Sequence, residues 1–173
     1  MQHNSHTVPL SVFVGPRSTL MRFKDFNPTT RIFALPGAAR DCIAPFDDEL
    51  QDAIQREFGT GSWPKGGVGL STGHMAGAAR VSMGGKLAYL QISITADGFD
   101  QVAIVWSEGT CVMKPMTLKA SDSARRPRSL WPTNIALKQI GIVAGKARDE
   151  MESVGLYDIL KENDVAKNAI QIT

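Results

Sequence analysis

The sequence predicts an α+β fold: a mainly antiparallel sheet with one mid-chain amphipathic helix and a long C-terminal helix followed by short helices. Three patterns carry this expectation. Apolar and β-branched runs separated by Gly, Pro and Asn-Pro breaks fill much of residues 7–119. Phe46, Leu50, Ile54 and Phe58 recur every four residues, and Ala136, Ile140, Val143, Ala147, Met151 and Val154 fall at steps of four and three.

Residues 1–173 read as one domain, strand-rich over 7–119, basic over 120–129 and helical over 132–170. A hydrophobic fraction of 43% with 21% charged residues is that of a chain able to bury a core. No apolar run approaches the roughly 18 residues that a membrane span requires. The first residues carry no Lys or Arg before a short apolar run broken by Pro9, so no signal peptide is expected. Cys42 and Cys111 suit free thiols in a reducing compartment, and the expected location is intracellular and cytoplasmic, a virion being compatible.

Taken in order, 7–14, 18–24 and 29–35 read as three short strands. Residues 45–58 read as a helix whose first turn carries Asp47, Asp48 and Glu49 at its positive dipole end and which stops at Gly59. Residues 59–77 look like a glycine-rich loop and 78–83 like a strand ending at Gly84-Gly85. Lys86–Thr95 and Gln101–Trp106 alternate as a hairpin. A three-residue Asp97-Gly98-Phe99 loop would pair Ile94 with Val102, Ile92 with Ile104 and Leu90 with Trp106, gathering one apolar face. The other face would then carry Tyr89, Gln91, Ser93 and Gln101. Cys111–Lys119 is a further strand, edge or bulged because of Pro115. A helix from Pro132 to a cap at Gly155, with short helices at 156–162 and 164–170, completes the chain.

Catalytic motifs fare poorly in this frame. Gly69-Leu70-Ser71-Thr72-Gly73 matches G-x-S-x-G, but no buried strand precedes it, and the one histidine after Ser71 is His74, three residues on. Thr72–Ala79 resembles the TGxxxGxG turn of short-chain dehydrogenases, with Ala79 in place of the last glycine and without the alternating helices of a doubly wound sheet. Gly84-Gly85-Lys86 lacks the first glycine and the Ser/Thr of a P-loop. His3, His6, His74 and the two cysteines have no zinc spacing, and a Cys42–His74 pair would need the fold to join them. No cofactor and no metal is expected.

Charge is the stronger signal. Net +2 hides a balance of −5 over residues 41–64, +7 over 110–148 and −4 over the last 25. Arg125, Arg126 and Arg128 in an exposed loop, with Lys114 and Lys119 before it and Lys138 on the next helix, could contact successive phosphates. Tyr89 on the polar hairpin face could stack on a base. The same basic surface could instead meet the acidic helix of another copy. The expectation is a non-enzymatic, self-associating structural protein that binds nucleic acid, single-stranded or structured, of the viral coat or matrix kind. The alternative is a small enzyme or ligand-binding domain using the loop 59–77.

Overall fold

The computed structural model describes residues 8–38, 40–61 and 69–173. Their architecture is α+β, as the sequence predicts. Seven strands form one antiparallel sheet: β1 (Leu10–Pro16), β2 (Ile32–Ala34), β3 (Asp41–Pro45), β4 (Lys86–Thr95), β5 (Gly98–Ser107), β6 (Thr110–Leu118) and β7 (Ile170–Ile172). Their order is β6-β5-β4-β1-β3-β2-β7, so β6 and β7 are the edges. The helices are α1 (Arg17–Met21), α2 (Asp48–Phe58), α3 (Thr72–Val81), α4 (Ala120–Ser123), α5 (Pro132–Gln139), α6 (Glu150–Ser153), α7 (Leu156–Glu162) and α8 (Val165–Asn168).

Both faces of the sheet are covered. Val12, Leu90, Ala103 and Val105 meet residues of the C-terminal helices, among them Trp131, Leu137, Met151 and Ile159. Phe13, Tyr89, Ile104 and Trp106 meet Leu20 and Phe23 of the α1 region, Leu50 and Ile54 of α2, and Ala78 and Val81 of α3. Phe13 is the aromatic centre of this second layer, with ring centroids at 4.7 Å from Phe23, 5.1 Å from Phe46 and 5.4 Å from Tyr89.

This two-sided burial corrects the hairpin register. The pairs are Ile94–Phe99, Ile92–Gln101 and Leu90–Ala103, joined through a two-residue Ala96-Asp97 turn. One-face reasoning presumes a wet second face, and here Tyr89, Ile104 and Trp106 fill that second face with apolar bulk. Packing at the turn holds the observed register. The Phe99 amide donates to Ser123 Oγ at 3.2 Å, and the Phe99 ring lies 5.3 Å from that of Trp131.

Other corrections have local causes. Residues 18–24 are α1 and a 3-10 turn, because Leu20 and Phe23, three apart, are the fully buried pair. β3 was hidden because Cys42, Ile43 and Ala44 are buried in succession and leave no alternation to read. The long helix from 132 ends at Gln139, since Gly141 and Gly145 adopt φ of 99° and 59°, outside helical geometry. Residues 78–83 belong mostly to α3, and the chain's last strand, β7, begins where a helix was expected to end.

Candidate nucleic-acid interface

The glycine-rich stretch resolves first, because its residues are those a catalytic reading would use. Ser71 is the N-cap of α3: its Oγ accepts from the His74 amide at 3.1 Å, and His74 Nδ1 accepts from the Ser71 amide at 3.2 Å. His74 Nε2 donates to the Gln51 carbonyl at 3.3 Å, and its ring stands edge-on to Phe46 at 5.0 Å. Both ring nitrogens are therefore engaged in holding α3 against α2, and neither faces Cys42. Gly73 and Gly77 give the close approach, since a Cβ at either would press into the Gly59 carbonyl oxygen or the Ile54 side chain. Ser62 to Val68 lie outside the described residues.

Burial holds the His74 pKa below its ordinary value. The unfolded chain then binds this proton more readily, so the contribution of His74 to stability is lost as pH falls below about 6.5. Urea unfolding at pH 7 and pH 5 should show a larger loss in the wild type than in His74→Gln. Parallel pH dependences would contradict this account of the cap.

The basic residues fall into three groups. Lys114, Lys119, Arg125 and Arg126 are exposed, and among the described residues none forms an ion pair. Lys114 and Pro115 together stand opposite Ile104 in a bulge of the edge strand β6. Lys119 precedes the one-turn helix α4, whose first amide, that of Ala120, donates to Asp100 Oδ1 at 2.8 Å. Arg125 and Arg126 follow α4, about 9 Å of helical rise beyond Lys119. The turn that bears them is pinned from inside: Trp131 Nε1 donates to the Ser123 and Arg126 carbonyls at 3.2 and 3.1 Å. These four cations form a ridge along one sheet edge on a fixed backbone.

Arg128 stands apart from the ridge. It pairs with the buried Asp149 at 3.2 Å and lies over the rings of Trp131 and Tyr157. The Tyr157 hydroxyl donates to Asp149 Oδ2 at 2.7 Å, and Asp149 Oδ1 accepts the Glu152 amide, capping α6. Burial, and then the Asp149 carboxylate beside the hydroxyl, raise the Tyr157 pKa above its ordinary value. Arg128 thus holds a structural ion pair while its side chain stays 41% exposed. Lys138 is exposed in the last turn of α5, in the layer packed on one face, whereas the polar groove opens on the other.

That groove, about 290 Å³, is lined by Gln91, Ser93, Asp100, Val102, Thr117 and Lys119. Gln91, Ser93 and Gln101 of the expected polar face line it, Gln101 with only 2% of its surface exposed, and Tyr89 does not. Tyr89 is 1% exposed, its hydroxyl donating to Gln91 Oε1 at 3.1 Å and its pKa pushed up to about 12 by burial. It cannot stack on a base, which corrects that expectation. The Gln101 side chain is turned to the opposite face, where its Oε1 accepts from the Thr133 amide at 3.2 Å.

Cys42 is buried and Cys111 half-buried, both free, with thiol pKa values raised by burial. Among the described residues there is no group of three or more His, Cys, Asp or Glu placed to hold a metal, and no helix long and apolar enough to cross a membrane. Compared with family models, curated proteins and solved structures, the chain matches none.

Proposed function

We propose that this chain is a nucleic-acid-binding protein that associates with itself and serves a structural rather than a catalytic role. The observation that carries the reading is the set of Lys114, Lys119, Arg125 and Arg126 on the edge strand and the turn after it, exposed and without ion pairs among the described residues, with Lys119 lining a polar groove. Four fixed cations on one edge suit a polyanion with regularly spaced charges, and phosphate contacts of this kind position a protein on the strand without reading its sequence. Gln91, Ser93 and Thr117 in the groove add hydrogen-bonding groups beside the cations. The competing enzyme reading loses its named residues, because Ser71 and His74 spend their hydrogen bonds on a helix cap.

Gel filtration with light scattering and the ratio of absorbance at 260 and 280 nm tests this reading before and after nuclease treatment. The expected result is a nucleic-acid-bearing preparation that nuclease converts to free protein. A clean monomer without bound nucleic acid, and without affinity for added oligonucleotide, would overturn it.

A further inference from the structure

The surface carries a second unpaired charge set, opposite in sign to the ridge. Asp48, Glu49 and Asp52 of α2 are exposed, and among the described residues none of them forms an ion pair. The contacts Arg31–Asp47 at 3.8 Å and Thr29–Glu49 at 3.4 Å place the start of α2 beside the entry to β2. β2 and the basic edge β6 are five strand steps apart in the sheet. At strand spacing that is about 24 Å. The screening length at physiological salt is about 8 Å, so charges at that separation are largely screened from each other, and among the described residues no ion pair joins the two sets.

We propose that the acidic face of α2 docks on the Lys114–Lys119 ridge of a second copy of this chain, where it takes the place that nucleic acid otherwise fills. The occupant is argued from complementarity. Asp48, Glu49 and Asp52 lie within one turn at the start of α2, about 6 Å of rise and ahead of Arg56, a compact carboxylate set that the ridge cations can face. Pairing of β6 with another β6 is disfavoured, since it would oppose lysine to lysine across a strand already broken by Pro115 and its bulge. Joining unlike surfaces gives a heterologous, head-to-tail contact, so association is open-ended and reversible by salt. The inference rests on reading the ridge as a polyanion-binding surface. Nucleic acid and the second copy compete for it.

The test uses the full chain after nuclease treatment, with light scattering at about 0.05 and about 0.5 M salt. Two charge-reversed variants accompany the wild type: Lys114→Glu/Lys119→Glu and Asp48→Lys/Asp52→Lys, with Asp48→Asn/Asp52→Asn as the milder partner should the reversal disturb α2. The wild type is expected above its monomer mass of 18.7 kDa at low salt, at that mass at high salt, and at that mass plus the bound oligonucleotide when a short oligonucleotide is added. Each reversed variant alone stays monomeric, and the Asn pair associates more weakly than the wild type. An equimolar mixture of the two reversed variants associates again, because the acidic α2 of one meets the basic ridge of the other and their two reversed surfaces are complementary as well. A wild type that is monomeric at low salt overturns both this contact and self-association. A wild type that associates while either reversed variant also associates, or while their mixture stays monomeric, overturns the contact alone. Oligonucleotide binding by Asp48→Lys/Asp52→Lys, whose ridge is intact, reads the nucleic-acid function separately.

Discussion

Asp149→Ala is expected to lose about 2–4 kcal/mol of stability, the combined cost of a helix cap and the charge-assisted hydrogen bonds that the carboxylate accepts. A loss of that size lowers the melting temperature by about 10 °C in a chain of this length. The carboxylate is 2% exposed and serves three groups at once: the Arg128 guanidinium, the Tyr157 hydroxyl and the Glu152 amide that starts α6. Its removal frees the helix start and the loop that turns from α4 into α5. Arg128→Ala should cost less, because the Arg128 side chain is 41% exposed and water can take its place against the carboxylate. Tyr157→Phe, which removes a single hydroxyl, should cost about 1 kcal/mol. Chemical unfolding of the three variants ranks them, and an Asp149→Ala protein as stable as the wild type would contradict the assignment of Asp149 as the hub.

Gly73→Ala should destabilise the fold although alanine is the better helix former. The gain in helix propensity is about 1 kcal/mol. Against it, the new methyl overlaps the backbone carbonyl of Gly59, and backbone cannot rotate aside as a side chain would. Overpacking of this kind costs about 1–3 kcal/mol, and a main-chain obstacle puts this site at the upper end. Gly77→Ala presses on Ile54 Cγ2, a buried and stiff β-branched side chain, which still yields more readily than a main-chain carbonyl, so its loss should be smaller. Thermal melts of the two variants give the comparison. A Gly73→Ala protein more stable than the wild type would show that α2 and α3 are not packed through these glycines.

The parts of the fold legible in the sequence were those where one physical rule dominates. A four-residue apolar spacing and a stop at Gly59 mark α2, which ends where expected but starts at Asp48 and not at 45, because Pro45 closes β3 and Asp47 is the N-cap. β4 coincides with its expected span, and β6 is both an edge strand and bulged at Pro115. The errors arose where two rules compete. Alternation could not fix the hairpin register because both faces of the sheet are buried. The periodic run after Pro132 met two glycines whose backbone demands outweigh it. Within the candidate site, the exposure of Arg125 and Arg126 followed from the polar stretch 120–129 and that of Lys114 and Lys119 from their own charge, but Tyr89 and Arg128 depended on tertiary partners. One signal for the latter was present: Asp149 followed three residues later by Glu152 is the pattern of a helix start, and it marks the carboxylate that holds Arg128.

The salt dependence of oligonucleotide binding tests the ridge most directly, measured for the wild type and for Lys114→Gln/Lys119→Gln/Arg125→Gln/Arg126→Gln. Each phosphate contact contributes about 0.7–0.9 to the slope of log affinity against log salt, depending on strand number. If all four cations touch phosphate, the variant binds more weakly at low salt and its slope is smaller by about 3. Equal affinity and equal slope in a variant that remains folded would contradict the ridge as the nucleic-acid interface.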